Sequence, residues 1–246
     1  MSVDILHVGK TFGAGTQSLT VLEDINLSIP KGKFIGVVGA SGCGKSTLLR
    51  LIAGLDRDFT GSIHINGRSV DGPCRDRAIV FQDHRLYPWL TVHDNIGLGI
   101  EELPLTAAQR NQRIHALIEL VGLRGFDKIY PAQLSGGMAQ RAAIARALIA
   151  EPDILLMDEP LGALDSLTRS YLQDELLRIW EDRRSTAIIV THDVEEAVFL
   201  CDTVVVMAPR PGRIEARIDV PVARPRDRSA PEFVQLKKSI LQKLIR

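Results

Sequence analysis

A continuous apolar run, Phe34 to Val38, leads directly into Gly39-Ala-Ser-Gly-Cys-Gly-Lys-Ser-Thr47, and a helix-forming stretch from Lys45 to Ala53 follows. This order of strand, glycine loop and helix constrains the fold more than any other feature of the chain. A strand that is apolar at every position must be buried on both faces, as in a parallel sheet covered by helices. The loop fits G-x-x-x-x-G-K-[ST], whose glycines let backbone N–H groups wrap phosphates while the helix N-terminus adds positive potential. The residues in question are Gly39, Ala40, Ser41, Gly42, Cys43, Gly44, Lys45, Ser46 and Thr47. Lys45 can reach the β- and γ-phosphates of a nucleotide, and the Ser46 hydroxyl can ligate Mg2+. The alternative is a glycine-rich turn without a ligand, and the strand before it and helix after it argue against that.

The rest of the chain repeats the α/β rhythm, which favours a mainly parallel sheet. Val21 to Ile29 alternates and stops at the turn Pro30-Lys-Gly, and Ser62 to Ile65 and Ala78 to Phe81 read as further strands. From Leu90 to Ala150 apolar residues recur at helical spacing instead. Thr106 is the expected N-cap of a helix reaching Leu120, with Gly122 as its stop. This stretch reads as a helical lobe inserted into the α/β core. Strands resume at Asp153 to Met157, Thr186 to Val190 and Thr203 to Met207, with a long helix over Asp165 to Arg183. Arg213 to Val220 reads as a returning strand after the turn Pro209-Arg-Pro-Gly212. Pro231 to Arg246 reads as a basic amphipathic helix with Phe233, Leu236, Ile240 and Leu244 on one face and its lysines on a solvated one.

Composition narrows the functional classes. The 246 residues carry 30 Lys+Arg and 30 Asp+Glu, so the net charge is zero. The basic excess of a nucleic-acid binder is missing, and no nucleic-acid partner is expected. Cys43, Cys74 and Cys201 show no metal-ligand spacing and are expected to be free thiols in a reducing compartment. Met1 to Lys10 has no charged region followed by an apolar run, so no signal peptide is expected. A membrane span needs about 20 apolar residues. The longest apolar stretches here are strand-length, so any membrane role is expected to come through a partner.

Two further segments carry chemistry. Ile154-Leu-Leu-Met-Asp-Glu-Pro160 is a buried strand from whose end two acids emerge. Asp158 is placed to hold Mg2+ and Glu159 to orient and polarise an attacking water. Leu134-Ser-Gly-Gly-Met-Ala-Gln-Arg141 opens an alanine-rich helix, with Ser135 as N-cap and Gly136-Gly137 allowing close backbone approach to a ligand. Alone, the first could be a strand ending in solvated acids and the second a capped helix.

Together with the phosphate loop, Leu134 to Arg141 resembles the signature sequence of the ATP-binding cassette (ABC) family, and the resemblance runs over nearly the whole chain. It implies the ABC ATPase fold: an α/β P-loop NTPase (RecA-like) core with an N-terminal antiparallel β subdomain and an inserted α-helical lobe. One domain over 1–246 is implied. Residues 1–89 and 151–220 would form the nucleotide-binding core, 90–150 the signature lobe and 221–246 a tail helix. Phe12 sits where the family has an aromatic that stacks on adenine, a tyrosine more commonly. Gln82 matches the glutamine that links Mg2+ and the attacking water to the helical lobe. Ala163-Leu164-Asp165 matches the loop that crosses a dimer interface, and His192 the histidine that contacts the γ-phosphate. Met138 replaces the usual glutamine of the signature. Two such chains are implied to face head to tail, with ATP between the phosphate loop of one and Ser135, Gly136 and Gly137 of the other.

Within the family, Gln82 to Ile96 and Met207 to Ile214 resemble ATPases of bacterial importers for aliphatic sulfonates, taurine and nitrate. This implies an ATP-driven subunit on the cytoplasmic face of the cell (inner) membrane, bound to permease subunits and, through them, to a solute-binding protein. Leu86, Tyr87, Trp89 and Leu90 are expected to be an exposed cluster that grips a permease helix, with local core packing as the alternative for Trp89. Aliphatic sulfonate is the leading solute, with nitrate and taurine behind it. The tail helix is expected to pack on its own domain, a regulatory or dimer contact being the other reading. ABC ATPases of DNA repair, chromosome organisation and translation form a second class. Their long coiled-coil insertions, zinc-binding cysteines or paired cassettes are not found in this sequence. A P-loop kinase or switch GTPase needs no Leu-Ser-Gly-Gly.

Overall fold

In a computed structural model, residues 2–13 and 18–244 are described. The strands are β1 (Val3–Phe12), β2 (Leu19–Ile29), β3 (Phe34–Gly39), β4 (Thr60–Ile65), β5 (Arg68–Ser69), β6 (Arg77–Val80), β7 (Ile154–Asp158), β8 (Thr186–Thr191), β9 (Thr203–Ala208) and β10 (Arg213–Asp219). The helices are α1 (Lys45–Ile52), α2 (Val92–Gly97), α3 (Ala107–Leu120), α4 (Gly136–Ile149), α5 (Ser166–Arg183), α6 (Val194–Leu200) and α7 (Pro231–Leu244). The chain divides into two compact units, Met1–Cys74 with Arg184–Arg246, and Arg75–Arg183.

The first unit holds an antiparallel sheet ordered β2-β1-β4-β5 and a run of strands ordered β10-β9-β3-β8. β3 lies parallel to both β8 and β9, while β10 returns antiparallel to β9. All six residues of β3 and all six of β8 are buried, as an internal parallel strand requires. Each large aliphatic side chain fully buried in this way contributes about 1.5–3 kcal/mol before the entropy of ordering is subtracted. α6 packs on β3, β8 and β9, and α7 packs on α6 and β9.

β1 is a strand that the alternation of the sequence does not announce. Its pairing with β2 shifts register between Ile5 and Val8 and again before Lys10. His7 takes a positive φ of 51° in the first of these irregularities. The buried residues Val3, Ile5 and Val8 therefore break the two-residue period that marks a half-buried strand.

The second unit pairs β6 with β7 in parallel and packs α2, α3 and α4 against one another. The helical lobe expected over 90–150 falls inside it, together with β6, β7 and α5. α3 begins where its sequence indicates. The Thr106 hydroxyl accepts from the Gln109 N–H at 3.2 Å and the Gln109 side chain accepts from the Thr106 N–H at 3.0 Å, closing a capping box. Gly122 follows its C-terminus with φ 65°.

The tail helix α7 buries Phe233 and Ile240, with Leu236 and Leu244 half-buried beside them. It packs on its own unit, and the last two residues of the expected helix, 245 and 246, lie outside the described residues. The lysines do not all form a solvated face, because Lys237 donates to the Glu195 carboxylate at 2.5 Å. The three cysteines are free. No helix among the described residues is long and apolar enough to cross a membrane.

Candidate functional site

In the first unit the phosphate-loop sequence runs from the end of β3 into α1. Gly44 is the N-cap of α1 with φ 93°, and a Cβ there would lie 2.5 Å from Leu22 Cδ2, so a side chain is excluded on both counts. No side chain caps this helix and its first turn holds no acid. Lys45 is 6% exposed, and its ammonium donates to the Gly39 and Ala40 carbonyls at 2.9 and 3.1 Å. A cation is thus held inside a loop of backbone dipoles at an uncapped helix start, an arrangement that suits an anion. Ala40, Ser41, Gly42 and Ser46 are exposed, Thr47 is half-buried, and Cys43 is fully buried beneath the loop.

Phe12 ends β1 and is 45% exposed, with Lys10 Nζ 4.7 Å from its ring centroid. Lys10 itself is buried and donates to Asp56 at 3.1 Å and Asp58 at 3.3 Å. His192 is exposed and lies between two anchored neighbours. Thr191 Oγ1 accepts from the Asp193 N–H at 3.0 Å, and the Asp193 carboxylate caps α6 by accepting from the N–H groups of Glu195 and Glu196 at 2.9 and 3.3 Å.

In the second unit the strand β7 is buried throughout and ends on Asp158, itself 8% exposed. Glu159 follows with φ 45°, a left-handed conformation costing of order 1–3 kcal/mol for a residue other than glycine. Strain of this kind concentrates where side-chain aim matters. Glu159 Oε2 accepts from Gln82 Nε2 at 3.4 Å, a long bond that brings together two residues 77 positions apart.

Ser135 caps α4, its Oγ accepting from the Met138 N–H at 3.3 Å. The cap uses the backbone of Met138, so it stands without the glutamine that the family usually has there. Gly136 faces open space, whereas a Cβ on Gly137 would come within 3.2 Å of Leu164 Cδ2 and 3.4 Å of the Ala163 carbonyl. Gly137 therefore packs against Ala163 and Leu164. Asp165 is exposed, and the Thr168 N–H that it accepts at 3.0 Å holds its carboxyl below the usual carboxylate range.

Sequence reasoning missed the residues that hold the Gln82 segment. Gln140 on α4 is 2% exposed and donates to the Phe81 carbonyl at 3.0 Å. Arg146, further along the same helix, donates to the Arg85 and His84 carbonyls at 2.9 and 3.2 Å. Fully buried Asn95 donates to the carbonyls of Tyr87, Leu90 and Thr91 at 3.0–3.1 Å and accepts from the Tyr87 N–H at 2.8 Å. The available signal was polar side chains interrupting an otherwise apolar helical face. In the expected exposed cluster, Leu86 is a correction. It is 7% exposed and anchors the loop from below, because its neighbours' backbone is drawn inward by Asn95 and Arg146. Tyr87 and Trp89 are exposed, Trp89 by 69%, so core packing does not account for Trp89. Their rings lie 5.4 Å apart at 55°.

These features belong to a cassette ATPase. The family model described as ABC transporter matches residues 22–162, and the chain belongs to that family, whose ATPases bind and hydrolyse ATP. Within it, the chain is 47% identical to the aliphatic sulfonates import ATP-binding protein SsuB of a Bacillus cereus strain, over 98% of this chain and 95% of that one. It is 48% identical to the protein of the same name from Bacillus subtilis (strain 168), over 98% and 93%. Among solved structures it resembles the dimeric, post-hydrolysis ATP-binding cassette MJ0796 bound to ADP and Pi, with a TM-score of 0.82 at 32% identity, over 90% of this chain and 100% of that one. The fold is therefore the ABC ATPase fold, an α/β P-loop core with an antiparallel β subdomain and a helical lobe.

Proposed function

We propose that the chain is the ATP-hydrolysing subunit of a bacterial importer for a small anion, with aliphatic sulfonate as the solute and taurine or nitrate as the alternatives. The identity with the SsuB proteins over nearly the full length of both chains supports the sulfonate reading. The exposed Tyr87–Trp89 pair, braced by Asn95 and Leu86, supports a permease contact on the cytoplasmic face of the membrane, with a solute-binding protein reached through the permease. It favours transport over the DNA-repair and translation classes.

In this reading the chain works as one ATPase domain. The loop Gly39–Thr47 binds the triphosphate through backbone N–H groups and the Lys45 ammonium, and Phe12 stacks on the adenine. His192 contacts the γ-phosphate. Glu159 takes the proton of the attacking water, and Gln82 orients it. Ser46, Asp158 and Gln82 offer the hard oxygen donors that Mg2+ prefers, and the buried carboxylate of Asp158 at the end of an apolar strand fits a divalent cation better than solvent. When bound, Mg2+ would neutralise developing phosphate charge. A second copy supplies Ser135, Gly136 and Gly137 to the γ-phosphate, with Asp165 at the dimer interface. ATP binding closes this head-to-tail dimer and hydrolysis opens it, moving the permease.

The observation that carries the mechanism is strained Glu159 beside buried Asp158, with Gln82 on its carboxylate. Glu159→Gln is expected to keep ATP affinity, abolish turnover and accumulate a closed dimer on size-exclusion chromatography with ATP. Normal steady-state hydrolysis would remove Glu159 from its role. For the solute, the complex with its permease in vesicles should show ATPase stimulation by a sulfonate-loaded binding protein. Stimulation by nitrate or taurine alone would move the assignment.

A further inference from the structure

α6 begins two residues after His192 and is held from both ends by the segment that follows β10. At its C-terminal end the last carbonyls of a helix have no partner within the helix. Here Arg226, 6% exposed, takes them up. Its Nη1 lies within hydrogen-bond reach of the carbonyls of Val198, Phe199 and Cys201 at 2.7, 3.0 and 2.7 Å. Its Nε and Nη2 donate to Val222 and Val220 at 2.9 and 3.4 Å, closing the segment on itself. Arg224 adds the Leu200 carbonyl at 2.6 Å and the Asp202 carboxylate at 2.8 Å. At the other end, Glu195 in the first turn accepts from Lys237 of α7 at 2.5 Å and from Arg228 at 3.4 Å. The Arg228 guanidinium also lies 4.0 Å from the Phe199 ring centroid.

α6, seven residues long, is thus contacted at both ends by side chains of this segment. α6 is already seated on β3, where Gly36 leaves room for it: a Cβ there would lie 2.9 Å from Cys201 Sγ and 3.2 Å from Ala197 Cβ. His192 itself is exposed and stands in the chain between Thr191, the last residue of β8, and Asp193, the cap of α6. A shift of α6 along or about its axis would therefore be carried through Asp193 to His192.

We propose that residues 220–237 form a strap that sets the position of His192 by clamping α6, with Arg226 as its principal positioning residue and Glu195 as the secondary one. The proposal rests on the reading of His192 as a γ-phosphate contact. Arg226 acts only through α6, so it affects the rate of hydrolysis and not the binding of nucleotide by the Gly39–Thr47 loop.

The test uses the full chain with Arg226→Gln, Arg226→Lys, Glu195→Gln and His192→Ala. It measures kcat and KM for ATP, affinity for a fluorescent ATP analogue, and amide hydrogen exchange over residues 192–201. For Arg226→Gln, exchange in α6 is expected to rise and kcat to fall about tenfold, the scale of a small misplacement of a reacting group, with nucleotide affinity within about twofold. Arg226→Lys should recover part of the rate. A folded Arg226→Gln with loosened α6 and wild-type kcat overturns the proposal. So does a parallel loss of kcat and affinity that lysine does not rescue. If Arg226→Gln does not fold, the half-exposed Glu195→Gln decides. A loss of kcat of about twofold at unchanged affinity supports the strap, and an unchanged kcat with a loosened first turn overturns it. His192→Ala with normal kcat would instead sink the reading of His192, an outcome separate from failure of the strap in a chain where His192→Ala is inactive.

Discussion

Helices α1 and α4 both start on glycine-rich sequence, yet their first turns are finished in opposite ways. α1 starts from Gly44 in a left-handed conformation with no side-chain cap, and the nearest positive charge, Lys45, is drawn into the preceding loop by two carbonyls. α4 starts from Ser135 in an extended conformation, and the Ser135 hydroxyl satisfies the Met138 N–H from within the chain. The first start has no side-chain cap and no acid in its first turn. The second has one of its first N–H groups satisfied by its own serine and leaves Gly136 facing open space. The difference matches the roles proposed for them, a loop that grips phosphates and a surface that meets them when a second copy arrives.

Lys45 is where the two helix starts differ most in charge. Lys45→Ala should weaken ATP binding about tenfold or more, because a hydrogen bond to a charged group is worth about 1.5–3 kcal/mol. Equilibrium binding of a fluorescent ATP analogue measures it, and an affinity within about twofold of wild type would take phosphate binding away from Lys45.

At the other helix, Ser135→Ala should cost about 1 kcal/mol of stability, the usual worth of a helix cap, read as a lowered urea midpoint. It should leave nucleotide affinity of the single chain intact while turnover falls, because Ser135 would act on the nucleotide of a second copy. A matching loss of affinity would mean that the serine serves its own chain's site.

Gly136→Ala separates stability from function more sharply still. Alanine meets nothing within 4 Å there and raises helix propensity by about 0.5–1 kcal/mol, so thermal stability should hold or rise. Turnover should nonetheless fall, since the open face is the one a ligand would approach. Unchanged turnover would reduce Gly136 to a surface glycine.

The smallest effect belongs to a third helix start. Asp165 accepts from the Thr168 N–H at the beginning of α5, and that bond holds its carboxyl below the ordinary value of 3.8. A depressed carboxylate contributes stability that is fully present above 3.8 and is lost as pH falls through the lower folded-state value. Urea midpoints of wild type and Asp165→Asn should therefore differ near neutrality and converge below about pH 3.8, with convergence absent if the bond does not stabilise α5.

Much of this was legible in advance where the constraint is local. The Thr106 cap, the Gly122 stop and the strand–loop–helix around Lys45 each rest on residues within one or two turns of one another, and each element begins or ends where the residues indicate. β1 was not legible, because its register shifts at His7 erase the alternation that a strand would otherwise display. Leu86 read as exposed because it sits in a polar, aromatic loop. The buried Asn95, in the helix that follows, is what turns that loop inward.

The sequence by itself determined the chemistry on offer: a glycine loop with Lys45, a buried strand ending in Asp158 and Glu159, a serine before two glycines, and the class of protein that carries all three. Those patterns survive in one dimension because backbone conformation and strand burial impose them over a few consecutive residues. Only the tertiary structure decided that Gln82 meets Glu159 across 77 positions, that Gly137 packs on Ala163 and Leu164, and that Arg226 closes the end of α6. Such contacts form when distant segments pack. The partners share no spacing along the chain, and each needs only a polar or small residue whose meaning appears once the other is in place.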